Sequence, residues 1–295
     1  MKIALLTLGT RGDVQPFAVL GKALKARGHE VTLVTAKNFI SFVESYGLDF
    51  VPIAADFQAI LNSDEGKKMM RNPLSARKHL NRLILPMMTD ALNTFYNVSS
   101  SSDCVLFHVK AMADYFSDKC KAKFIRTNVV PAMEPTNEFL NPVFSSWNLP
   151  SAFNRMSYKL TELGLKMMSK PINSFRQKIG LNEKYKKPSL LSIYGISSHF
   201  LSEPKDYPST SHFTGFWFDS SDTVLDPEIF EFVNSGEPPL LFTLGSMPFE
   251  CKLNLSAALE RLTKELNIHI IVVQGWGLNE TKELEKNSSI KVIRS

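Results

Sequence analysis

This chain has few means of cross-linking itself or gripping a metal. Its 295 residues include three cysteines, Cys104, Cys120 and Cys251, without the paired Cys or His spacings of a zinc site. They read as reduced thiols in a cytoplasmic protein. No apolar run approaches the roughly 18 residues that a membrane-spanning helix needs. The apolar start from Ile3 to Leu8 is only a strand long and is preceded by one lysine, Lys2, too little for a secretory signal. The expectation is a soluble protein, or one at most peripheral at the inner membrane surface. Neither sign of charge dominates: a net charge of +5 permits an anionic partner without requiring one. Internal repeats and low-complexity tracts are absent, and 44% hydrophobic with 21% charged residues is ordinary globular composition.

Two nucleotide-binding fingerprints are also missing. A dinucleotide site wants glycines spaced G-x-G-x-x-G and an acid at the end of the second strand. Here Gly9 and Gly12 are spaced G-x-x-G, and the second strand ends in Thr35, Ala36 and Lys37. No GxxxxGK motif followed by Ser or Thr occurs. Nothing supports a Ser-His-Asp triad, and His199 and His212 attract no functional reading.

What is present is alternation. "IALLTL", "EVTLVTA", "LDFVPI", "DCVLFHV" and "KFIRTNVV" are apolar runs of strand length separated by helical segments, the pattern of a buried parallel sheet with crossover helices. The first helix is expected from Pro16 to Arg27, closed by Gly28. Two long helical stretches are expected, one from Leu80 with a kink at Pro86, the other from about Phe153 to Ile179. Residues 216–238 are rich in Ser, Asp and Pro and read as a linker. Alternation then restarts with "LLFTL", "LSAALERLTKEL", "IHIIVVQG" and "IKVI". The expected organisation is a complete Rossmann-like domain over 1–215, a linker over 216–238 and part of a second such domain over 239–295.

The opening "LGTRGDVQPF" poses the functional question. It puts Asp13 at a strand-to-helix turn, where a carboxylate is a favoured cap. The same turn lies at the carboxyl end of the first strand, where open α/β sheets bind ligands. The two roles are compatible.

With "LGKALKARGHEVTLVTAKNF", "GLDFVPI", "FHVKAMADYF", "PINSFRQKIGL", "HFTGFWF" and "PPLLFTLGSMP", the chain resembles GT-B glycosyltransferases of the sterol glucosyltransferase and antibiotic glycosyltransferase group. It departs from that group's HPKA-like stretch with Val109 in place of proline. The resemblance implies inverting, metal-independent transfer of a hexose, with UDP-glucose the expected donor, to a hydroxyl of a sterol, glycolipid or macrolide-like acceptor. The nucleotide sugar is then a co-substrate, and no cofactor is expected. The implied general base is Asp13. Gly9, Thr10, Arg11 and Gly12 are implied on the donor side, with Arg11 either facing the donor phosphates or simply solvated. A bulky residue at Gly12 is expected to misplace Asp13. Gly245 and Ser246, at a turn suited to an oxyanion, and Gln274 and Trp276 are implied to line the nucleotide. His108 is an implied acceptor contact, set against the commoner role of a structural histidine.

From Gly66 to Thr89, Lys67, Lys68, Arg71, Arg77, Lys78 and Arg82 occur without an acid. This is either a solvated helix face or a surface that docks on anionic lipid; nucleic acid is not expected as a partner. Relatives of the group continue into an H-x-G-G-x-G-T segment that does not occur here. The chain alone is therefore expected to lack part of the donor site, either as a truncated gene product or as one half of a split enzyme with a complementing C-terminal chain. The competing class is a non-catalytic module that keeps an apolar pocket.

Overall fold

The run after Lys2 forms β1 (Lys2–Leu6), with Ile3 to Leu6 buried. In the computed structural model it is the central strand of a seven-stranded sheet. The structure describes residues 1–54, 63, 85–144, 147–165, 169–219, 224–245, 254–275 and 281–294. Cys251 and the basic stretch from Lys67 to Arg82 lie outside them. The chain divides into two units, Met1–Asp219 and Ser220–Ser295, and this division falls inside the segment read as a linker.

In the first unit β1 is followed by α1 (Arg11–Ala26), β2 (Glu30–Ala36), α2 (Ile40–Ser45) and β3 (Asp49–Ile53). Next come α3 (Leu85–Ser100), β4 (Cys104–Phe107), β5 (Lys123–Asn128), α4 (Asn154–Leu165), α5 (Ser169–Lys178), β6 (Leu191–Tyr194) and β7 (Ser211–Phe213). The strand order is β3-β2-β1-β4-β5-β6-β7, and every pair is parallel. The order turns back between β1 and β4. In doubly wound sheets the crevice outside the carboxyl ends at that reversal receives ligands.

One expectation is corrected. Helix α1 begins at Arg11, five residues before Pro16, so the proline lies inside it. Thr10 is the N-cap residue, and the Asp13 side chain accepts from its backbone N–H, the acid half of a capping box. That closure starts the helix early. Pro16 then gives up only the bond it would have donated to Gly12, one turn back.

The core is built from the two faces of β1 and its neighbours. Leu6, Val34 and Phe107 pack with Ala91, Leu92 and Phe95 of α3. Phe116 meets Tyr96, Phe124 and Phe175 edge to face, at 5.8–6.0 Å between ring centroids. Gly21 of α1 is needed for the helix to sit on the sheet, because a Cβ there would lie 2.9 Å from Leu5 and 2.8 Å from Leu48.

The second unit holds α6 (Pro227–Asn234), β8 (Leu240–Thr243), α7 (Leu255–Leu266), β9 (Ile270–Gln274) and β10 (Ile290–Arg294). Its three parallel strands run β10-β9-β8. Leu259 of α7 covers Ile270, Val272, Leu284 and Ile290, and Asn254 caps the helix by accepting from Ala257 N–H at 3.0 Å. Strand β8 is an edge among the described residues, with Leu240 45% and Leu241 63% exposed. No described helix in either unit is long and apolar enough to cross a membrane.

Candidate active site

Thr7 and Leu8 leave β1, and Gly9 turns the chain at φ 139 into the first turn of α1. The buried hydroxyl of Thr7 donates to the Asp13 carbonyl at 2.9 Å, which ties that turn to the strand end. The Asp13 carboxylate folds back. Its Oδ2 accepts the Thr10 N–H at 2.9 Å, and the Thr10 hydroxyl lies 3.4 Å from the same oxygen. A Cβ on Gly9 would sit 2.0 Å from that oxygen, so only glycine leaves room for the folded-back acid.

The adjacent strand brings the partners. His108 follows β4, and Lys110 lies in the short 3-10 turn Val109–Ala111. The Lys110 ammonium donates to both Asp13 oxygens, at 2.7 and 2.8 Å. Lys110 is half exposed while the Asp13 side chain is 13% exposed, so the pair adds about 1 kcal/mol or less to stability. Its effect is to hold and aim the carboxylate.

His108 is 1% exposed and packs edge-on against Phe17, with ring centroids 6.2 Å apart. Its Nδ1 accepts the Lys110 N–H at 3.4 Å, which leaves the ring proton on Nε2. That nitrogen has no hydrogen-bond partner and lies 3.9 Å from Asp13 Oδ1. At that distance a protonated ring would make an ion pair. Burial, however, pushes the imidazole down to about 4, against the pull of Asp13 and with the help of Lys110. The burial effect wins, and the ring is neutral at physiological pH.

The site therefore joins Gly9, Thr10 and Asp13 from the β1–α1 turn to His108 and Lys110 from the end of β4. Arg11 is turned to other partners: its Nε donates to Gln15 at 3.1 Å, and its guanidinium lies 5.0 Å from the Phe42 ring centroid. Gly12 does not carry the constraint expected of it, since a Cβ there meets only the Thr10 hydroxyl at 3.8 Å. The tight position is Gly9. Lys110 was missed by sequence reasoning. The one signal was its place two residues after His108 in the HPKA-like stretch.

In the second unit Gly245 follows β8 at φ 58 and Gln274 ends β9. A Cβ on Gly275 would lie 1.9 Å from the Gly245 carbonyl oxygen, so the two chain segments approach backbone to backbone. Ser246 and Trp276 lie outside the described residues. Among the described residues no three His, Cys, Asp or Glu side chains cluster to hold a metal.

Comparison with known proteins agrees with this architecture. Residues 3–106 match the family model described as the glycosyltransferase family 28 N-terminal domain. An O-mycaminosyltylonolide 6-deoxyallosyltransferase of Streptomyces fradiae is 30% identical over 275 residues, which cover 83% of this chain and 61% of that protein. A sterol 3-beta-glucosyltransferase of Arabidopsis thaliana is 28% identical over 298 residues, covering 94% of this chain and 48% of its own. The chain thus spans about half to three fifths of the length of these relatives. Among solved structures, a glycosyltransferase of Streptomyces sp. SF2575 aligns over all of this chain and 71% of its own, with a TM-score of 0.57 at 18% identity. The same enzyme complexed with thymidine diphosphate aligns over 92% of this chain and 67% of its own, at 0.52 and 18% identity. The fold is of the GT-B type.

Proposed function

We propose, on the premise that residues 3–106 form a glycosyltransferase family 28 N-terminal domain, that the protein transfers a hexose from UDP-glucose to a hydroxyl of an apolar acceptor. Transfer is inverting and metal-independent, and the acceptor is of the sterol or macrolide-like class. Asp13 is the general base. The observation that carries the reading is its carboxylate at the β1–β4 reversal of the sheet, held by Thr10 N–H and by Lys110.

In this reading the acceptor hydroxyl binds against the free lone pairs of Asp13 and gives up its proton to that carboxylate. Its oxygen forms the new bond to the anomeric carbon from the face opposite the departing diphosphate. The bond from that carbon to the phosphate oxygen breaks, and UDP carries away the negative charge. His108 is buried, with its Nε2 3.9 Å from Asp13 Oδ1, and as a neutral donor it backs the carboxylate that takes the proton. Gly9, Thr10 and Gly12 in the first unit, and separately Gly245, Ser246, Gln274 and Trp276 in the second, remain the proposed donor contacts. Sterol and macrolide glycosylation in the named relatives supports the acceptor class, and nucleotide-bound neighbours support a nucleotide-sugar donor.

The test is Asp13→Asn, which keeps an acceptor for Thr10 N–H but cannot take a proton. With radiolabelled UDP-glucose, a sterol acceptor and a complementing C-terminal donor segment supplied, the rate should fall by roughly 10²–10⁴, the usual worth of a positioned base. Full transfer by the Asn variant would end the assignment.

A further inference from the structure

Arg176, near the end of α5, is 4% exposed. A buried guanidinium is costly unless an anion compensates it. Here its donors go to neutral backbone carbonyls, those of Tyr115 and of Glu183. Among the described residues the one carboxylate within ion-pair reach is Asp118, at 3.9 Å, and its side chain is 56% exposed. The Tyr185 ring lies 5.4 Å from the guanidinium carbon, and Tyr115 packs on Tyr185 at 4.3 Å. The charge is thus held by dipoles and ring faces, with little opposing charge.

Arg176 forms part of the wall of a cavity of about 710 Å³ between α4, α5 and the 181–187 loop. That volume is in the range of small-molecule sites. Met133, Tyr158 and Ile172 line its apolar side. Lys184 and Lys187 add two cations, against the carboxylates of Glu162 and Glu183. Burial pushes the phenols of Tyr158 and Tyr185 up, so both stay neutral. None of Gly9, Asp13, His108 or Lys110 lines the cavity.

We propose that this cavity is a second, non-catalytic binding site for a single-headed anionic amphiphile. Its carboxylate or phosphate sits against Arg176, and its apolar body lies along Ile172 and Tyr158. A neutral amphiphile lacks the charge, and a bare anion lacks the body.

Calorimetry with decanoate, decyl phosphate, decanol and inorganic phosphate tests both halves. Decanoate or decyl phosphate should bind at least about tenfold more tightly than decanol or inorganic phosphate, since one hydrogen-bonded charge contact is worth that factor or more. Arg176→Gln should abolish the preference over decanol. Because Arg176 also braces two carbonyls, Thr161→Trp, which fills the cavity from a partly exposed helix position, and the exposed pair Lys184→Glu with Lys187→Glu provide variants that need not disturb folding. The first should remove decanoate binding and the second weaken it severalfold. Asp13→Asn should leave it unchanged, which separates this site from the proposed transfer reaction. Equal affinity for decanoate and decanol, or decanoate binding that survives Thr161→Trp, overturns the proposal.

Discussion

Replacing Gly9 with alanine adds one methyl group, and the structure states what it strikes. The new Cβ would lie 2.0 Å from Asp13 Oδ2, 2.6 Å from its Cγ and 3.0 Å from the Lys110 ammonium. The two overlaps with Asp13 cannot stand, so the carboxylate must swing out, while the flexible Lys110 ammonium need give only a few tenths of an ångström. The backbone also stands at φ 139, which costs an L-residue about 1–3 kcal/mol. Losing the Asp13 bond to Thr10 N–H adds about 1 kcal/mol, as for other helix caps. The sum is about 2–4 kcal/mol. For a unit of some 200 residues each kcal/mol lowers Tm by about 2–4 °C, so a drop on the order of 10 °C is expected by differential scanning calorimetry. Transfer should fall by about 10²-fold or more with the base displaced. Gly12→Ala is the matched control, three residues on. Its Cβ meets only the Thr10 hydroxyl at 3.8 Å, and alanine in a helical turn is favoured over glycine by about 0.5–1 kcal/mol. That variant should melt slightly above wild type. If Gly9→Ala melts with wild type and transfers normally, or if Gly12→Ala is the less stable of the two, the reasoning about this turn is wrong.

Two further outcomes follow from the same coordinates. His108 is held down to about 4 by burial against an ordinary value of 6.5, so on acidification the unfolded chain takes up this proton first. Stability should fall as pH drops from about 6.5 towards 4, by about 3 kcal/mol at 1.36 kcal/mol per unit. The difference between wild type and His108→Gln in urea melts across that range isolates the contribution; parallel pH profiles would refute it. On β8, an edge strand among the described residues, Leu241 is 63% exposed, the kind of surface that pairs with other chains. Leu241→Lys should raise the concentration at which light scattering detects association, and an unchanged threshold would show that the edge is not the contact.

The parallel sheet was legible in the sequence because each central strand is a short apolar run that no helix period explains. The segment "LSAALERLTKEL", read as part of the renewed alternation, is the helix Leu255–Leu266. The edges were not. Strands β6 and β7 have four and three residues, too short for alternation to register, and the pairing of β6 to β5 and of β7 to β6 supplies what the sequence does not display. The start of α1 was misread for a different reason. Proline is the stronger local signal, yet Asp13 reaching back to Thr10 closes the cap five residues earlier. The site divides likewise. Asp13 could be singled out by its place after a strand, but the hold of Lys110 on it spans 97 residues. Chain spacing carries no trace of that contact until the register of β1 with β4 is fixed.

That register also sets a schedule for synthesis. Ile3 pairs with Val31 on one side and with Cys104 on the other. A ribosome that has made only β1, α1, β2, α2 and β3 holds a half-sheet whose central strand still waits for its second neighbour. At about 5–20 residues per second, the wait from residue 3 to residue 104 lasts roughly 5–20 s. Throughout it Ile3 to Leu6, among the most deeply buried residues of the finished unit, are open to whatever strand or chaperone arrives first. The catalytic carboxylate proposed here is born just after this waiting strand, in the first turn of α1, and its lysine partner emerges only after the strand that ends the wait.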